Sequence, residues 1–275
     1  MKLRLRIAGI LLLSSLASGL LALGRPAAYQ GVAPQRFAEG EDGLIALDID
    51  PRDKTEWAFV RLHYDGYSGN GCFRGGRSRW TTDAPKADRQ FVQGVRRLTR
   101  LHTRSVEQVV DPNSDEVFNW PWIYAVEVGS WDFTAEQARR IREYLLKGGF
   151  LMVDDFHGSC EWSVFLNGIR KVFPDRPVEN LVNQDEIFHT LYDLDERFQV
   201  PGAQFLFTGR IYEKDGYAAQ WRGIRDDSGR LMVAICHNMD LGDAWEWADD
   251  PRYPERYTSL AYRIGINYVI YSMTH

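Results

Sequence analysis

The sequence predicts an α/β fold: a mostly parallel sheet with an antiparallel edge or hairpin. Three observations predict it. Strand-like and helix-like segments alternate from about residue 56 to residue 172. Within that stretch, Trp131 to Gly158 reads as a capped helix, a glycine stop and an apolar strand in direct succession. The last third changes texture, with strand-like runs joined by a tight turn and closed by a long helix.

Taken in order, Trp57 to Tyr64 alternates well enough for a strand. A loop with five glycines between positions 66 and 76 follows it. Asp83 before Pro85 signals a helix start, and Phe91, Val95, Leu98 and His102 keep helical spacing. Val106–Val110 is a short strand closed by Asp111-Pro112, and Trp122–Val128 is a third, apolar except for Glu127. Thr134 with Gln137 three residues on forms a capping box, with Ala138, Ile141 and Leu145 on one helix face. Gly148-Gly149 ends that helix, and Phe150–Val153 is apolar throughout, as a strand covered on both faces should be. Helices are expected over 161–172, over 185–194 and over 256–272, and strands over 204–212, 218–224 and 230–236. Asp226 to Gly229 makes the hairpin turn between the last two strands.

Composition bounds the function. The chain has 275 residues, 44% of them apolar, enough for one substantial core. A formal charge of −5 argues against a nucleic-acid partner, which needs a dense basic footprint. Lys2, Arg4 and Arg6 precede an apolar run over 7–23, so residues 1–24 read as an export signal, with an uncleaved membrane anchor as the alternative. Residues 25–54 read as a linker, and 55–275 as a single domain placed outside the cytoplasm, in the periplasm or cell envelope. Three cysteines permit at most one internal disulfide, and none has zinc-ribbon spacing.

Five segments, WAFVRLHYDG, WTTDAPKADRQF, REYLLKGGFLMVDDFHG, NMDLGDAWE and GINYVIYSMTH, together resemble the bacterial domain-of-unknown-function family 4159. That resemblance implies the class I glutamine amidotransferase-like superfamily, a flavodoxin-like three-layer sandwich, and an envelope-associated interaction module. Catalytic amidotransferases carry a nucleophilic cysteine on the turn after the strand that follows the glycine stop. Here that turn reads Asp154-Asp155-Phe156-His157-Gly158, with Cys160 beyond it. Glutamine hydrolysis by that route lacks its nucleophile.

Asp154, Asp155 and His157 stand at a strand's carboxyl end, where open α/β sheets bind ligands. Paired carboxylates beside an imidazole suit a divalent metal or acid–base work. The alternative is that Asp154 caps the segment after it, Asp155 pairs with an arginine and His157 is a satisfied loop residue. His237, Asn238, Asp240, Asp243 and Glu246 repeat the pattern after another strand, giving Asp155, His157, His237 and Asp240 as candidate metal ligands. Trp245 and Trp247 could floor a pocket or simply fill the core. The glycine-rich loop with Arg74, Arg77 and Arg79 reads as a surface lid rather than an anion cradle. Asp83 and Asp88 are accounted for by helix capping and dipole terms.

The leading expectation is a non-catalytic domain that binds a small polar ligand or an envelope protein partner. The other is a metal-assisted hydrolase that uses both Asp/His clusters. A membrane contact is expected only through an uncleaved anchor.

Overall fold

A computed structural model describes residues 55–67, Cys72 and 78–275. The residues read as an export signal and linker, 1–54, and most of the glycine-rich loop, with Arg74 and Arg77, lie outside them. Among the described residues nine strands and six helices follow in order: β1 Val60–Leu62, β2 Asp65–Gly66, α1 Lys86–Leu98, β3 Gln108–Val110, β4 Trp122–Val126, β5 Trp131–Asp132, α2 Ala135–Leu146, β6 Phe150–Asp154, α3 Gly158–Val172, β7 Glu179–Asn180, α4 Phe205–Thr208, β8 Gln220–Arg225, β9 Leu231–His237, α5 Leu241–Glu246 and α6 Glu255–Thr274.

The main sheet has the order β3-β1-β4-β6-β9-β8-β7. The first five strands are parallel, and β8 and β7 add the antiparallel edge. A two-stranded antiparallel sheet, β2 with β5, lies apart. The central strands are apolar on both faces because both faces are covered. Trp122, Tyr124, Phe150 and Met152 pack with α1, α5 and α6 on one side. Ile123, Ala125, Leu151 and Val153 pack with α2 and α3 on the other.

The capping box holds: Thr134 accepts from Gln137 N, and Gln137 Oε1 accepts from Thr134 N at 2.8 Å. Gly148, at φ 107°, ends α2 in a conformation that suits glycine. Two expectations are corrected. The strand expected over 204–212 is instead the single turn α4, ended by Gly209 at φ 68°. A short apolar alternation reads equally as strand or helix when no neighbouring strand pairs with it. The helix expected over 185–194 shrinks to a 3-10 turn, Glu186–Phe188. Beyond it the buried Asn267 of α6 takes up the backbone, accepting from Tyr192 N at 2.9 Å and donating to Tyr192 O at 2.8 Å.

Cys72 and Cys160 form a disulfide, and Cys236 is a buried free thiol. Among the described residues no helix is long and apolar enough to cross a membrane.

Candidate ligand site at the carboxyl end of the sheet

The adjacent parallel strands β4, β6 and β9 are each followed at once by a polar residue in the left-handed region: Glu127 (φ 52°), Asp155 (φ 51°) and Asn238 (φ 65°). Asp83 (φ 62°), ahead of α1, and Lys214 (φ 51°) complete the non-glycine residues of this kind among the described residues. Such backbone costs roughly 1–3 kcal/mol per residue and persists only where its surroundings enforce it. Glu127, Asp155 and Asn238 mark one end of the sheet, where the chain leaves each of three adjacent strands sharply.

Asp154 ties the two sequence clusters together. Its buried Oδ2 accepts from Leu241 N (2.8 Å), Gly242 N (3.1 Å) and Tyr124 Oη (3.2 Å). It therefore caps α5 rather than the segment that follows it. Burial pushes its carboxyl up to about 7, against the pull of those donors. Asp240 also caps α5, through Asp243 N at 2.7 Å, and Asp243 in turn accepts from Ala203 N at 2.6 Å.

Asp83 joins this group, although sequence reasoning assigned it to capping. The residue at the α1 N-cap is Pro85, and no side chain caps that end. Asp83 points into the acids instead: oxygens of Asp83, Asp240 and Asp243 lie within 4.8 Å of one another. Its Oδ2 is shielded from solvent without a hydrogen-bond partner. Burial first, and the charge of Asp243 next, raise Asp83 well above the carboxylate range. Asp240 is raised by burial and then by Asp155 and Asp243; Asp155 by burial and then by Glu127, Asp83 and Asp243.

The sequence model of the family described as Domain of unknown function (DUF4159) matches residues 58–273. The chain belongs to the DUF4159 family. No curated protein matches it. The match runs from β1 almost to the end of α6, so the DUF4159 domain contains the whole sheet and every acid named above.

The remaining expected residues of this DUF4159 domain divide by role. Asp155 meets His157, with Oδ1 and Nε2 at 3.2 Å, and among the described residues no arginine pairs with Asp155. His157 Nδ1 is buried without a partner, and burial lowers the ring to about 3. His237 is turned into the wall. Its Nε2 faces Gly158 O at 3.2 Å, its Nδ1 faces Arg222 Nη1 at 3.2 Å, and its ring stacks near Phe156 and Trp162. Donating from Nε2 and accepting at Nδ1 engages both nitrogens, which leaves none for a metal. Asn238 is a strap: Oδ1 accepts from Gly158 N and Nδ2 donates to Ala218 O, each at 2.8 Å. Glu246 ends α5, with its carboxyl pushed up to about 6 by burial and by Asp243. Trp245 is core, packed on Phe91 at 4.3 Å between ring centroids.

The start of α3 is already satisfied. His157 N donates to Glu161 Oε2 (2.5 Å), Gly158 N to Asn238 and Ser159 N to Asp215 Oδ1 (2.9 Å). Glu161 also pairs with Lys214, and Glu127 with Arg79 at 2.5 Å. Glu127, Glu161 and Glu213 were not picked out from sequence. Only Glu127 left a signal there, as the one polar residue in an apolar run.

Proposed function

We propose that this DUF4159 protein is an exported cell-envelope protein. Its α/β domain would bind a small polar ligand, or a polar group of an envelope partner, at the carboxyl end of the sheet without hydrolysing it. One observation carries the reading. Asp155 occupies the left-handed strand-to-helix turn where an amidotransferase-like fold presents its nucleophile, and the three amides behind it are bound by Glu161, Asn238 and Asp215. Acyl transfer needs both an activated nucleophile and free donors for the oxyanion. Placement in the class I glutamine amidotransferase-like superfamily, with a flavodoxin-like sandwich, belongs to the same reading. The parallel run β3-β1-β4-β6-β9 between two helical layers supports it. Export rests on the basic start and the apolar run after it.

A thermal-shift screen of small polar compounds checks the binding claim. A stabilising compound that loses its effect in Asp155→Ala is the expected result. If no compound shifts the wild type and Asp155→Ala melts like it, the site reading fails. For export, residues 1–30 fused to a reporter that is active only outside the cytoplasm should give signal.

The contact between Asp155 and His157 beside the acids favours one second reading, a metal-assisted hydrolase. Turnover of an ester, peptide or glycan substrate, abolished by His157→Ala, would select it over the binding reading.

A further inference from the structure

We propose that Asp83, Asp240 and Asp243 together hold a hard divalent cation, of the calcium or magnesium class, at the carboxyl end of the sheet. This cation would sit in the ligand site proposed above and rests on that reading: it gives the polar ligand a positive centre to meet. The donor set is all oxygen, which suits hard cations and disfavours zinc or copper. Three carboxylates whose oxygens lie within 4.8 Å of one another repel unless a cation or protons intervene.

A second observation is independent of that proximity. Asp83 Oδ2 is shielded from water and accepts no hydrogen bond, an expensive state for a carboxylate oxygen that carries charge. The oxygens also face backbone that carries no side chain. A Cβ on Gly242 would stand 2.5 Å from Asp83 Oδ2 and 3.6 Å from Asp240 Oδ1. One on Gly202 would stand 2.4 Å from Asp240 Oδ2, 2.9 Å from Asp243 Oδ2 and 3.2 Å from Glu213 Oε1. Glycine at both places lets the acid oxygens close directly on the backbone, where any side chain would push them apart.

The test uses the full chain stripped with EDTA and titrated separately with Ca²⁺, Mg²⁺ and Tb³⁺, with no organic ligand present. Tb³⁺ reports through emission sensitised by nearby aromatic rings. Tyr124 is one, its hydroxyl 2.9 Å from the Cβ position of Gly242. At a hundredfold excess over Kd, the preferred cation should raise Tm by about 5–10 °C. Asp83→Asn and Asp243→Asn keep the shape of the site and should each weaken binding at least tenfold. Saturable Tb³⁺ emission displaced by Ca²⁺ but not Mg²⁺, or the reverse, identifies the class. No emission and no Tm shift in the wild type would overturn the proposal, as would unchanged affinity in both variants. A ligand that binds through Asp155 in EDTA would then leave the binding reading standing without its cation.

Discussion

Asp83 and Asp88 stand five residues apart around the start of α1, and the two carboxylates face opposite electrostatic circumstances. Asp88 is fully buried and carries its counter-ion with it. Arg61 of β1 reaches it with Nε at 2.7 Å from Oδ2 and Nη2 at 2.6 Å from Oδ1, and its own Nη1 is tied to Trp80 O. Burial still lifts Asp88 to about 6, but the pair is complete in itself. Asp83 has Asp240 and Asp243 for neighbours and an oxygen with no partner. The charge of Arg61, which makes no hydrogen bond to it, is a weaker influence than burial and Asp243. A buried charge with a tethered guanidinium builds structure; one gathered among like charges stores electrostatic free energy that a mobile cation can release. On the cation proposal, the contrast separates a residue that holds the fold from one that would hold a ligand.

The largest expected effect tests the first half of that contrast. Arg61→Met leaves Asp88 buried without its partner and should cost about 3–5 kcal/mol in denaturant unfolding. Replacing both partners together, as Arg61→Met with Asp88→Leu, should recover much of that loss. A double variant as unstable as the single one would show that the pair is not the unit described.

Next comes the dependence on pH. Asp154 and Glu127 sit at about 7 in the folded chain, above the roughly 4 of an unfolded carboxyl, with burial the first cause in each case. The penalty for ionising them is absent below about pH 4, grows as pH rises, and is complete above about 7. In EDTA these groups should therefore lower Tm as pH rises through that window, and a bound cation should flatten the fall. His157 and His237 run the other way. Held at about 3 and about 4 by burial, they cost nothing above about pH 6.5 and destabilise as pH falls below it. Stability in EDTA should then peak at mildly acidic pH. A melting temperature that climbs steadily to pH 8 without cation would contradict the acid assignment.

A smaller effect tests the second half. In EDTA at pH 8, Asp83→Asn should stabilise the chain by on the order of 1 kcal/mol, because one member of the repelling group is gone. Asp88→Asn should do the opposite, since it weakens a made ion pair. Two shifts of the same sign would erase the distinction between these two aspartates.

The fold was more legible in the sequence than the site, and particular residues show why. The capping box at Thr134, the stop at Gly148 and the hairpin at Asp226–Gly229 are local devices, so the residues that make them adjoin in sequence. Trp122–Val126 and Phe150–Asp154 announced buried strands because both faces are apolar. The acid group is assembled from three separate parts of the chain: before α1, the end of β6 and the start of α5. Asp154, Asp155 and Asp240 could be named because each lies at or just past a strand's end. Asp83 could not, since a carboxylate two residues before a proline has a sufficient local explanation in capping. His237 failed in the opposite direction: its strand-end position suggested a ligand, while Arg222 from the neighbouring strand and Gly158 O claim its nitrogens. Periodicity reports which face is apolar; it says nothing about which polar atoms are already satisfied.

Thr134→Ala, an effect of about the same size as Asp83→Asn, supplies the baseline for the others. Thr134 Oγ1 accepts from Gln137 N at 3.2 Å, and Gln137 returns the bond, so both amides are satisfied within one helical turn. Its loss should cost about 1 kcal/mol, the usual worth of a cap. The bond that Thr134 Oγ1 accepts involves no ionisable group, so that cost should be the same at pH 5 and pH 8, with cation or with EDTA. The Asp83→Asn effect should change with both. If Thr134→Ala also responded to cation, α2 would be coupled to the acid group, and the stabilisation would have to be credited to the whole sheet end rather than to its three aspartates.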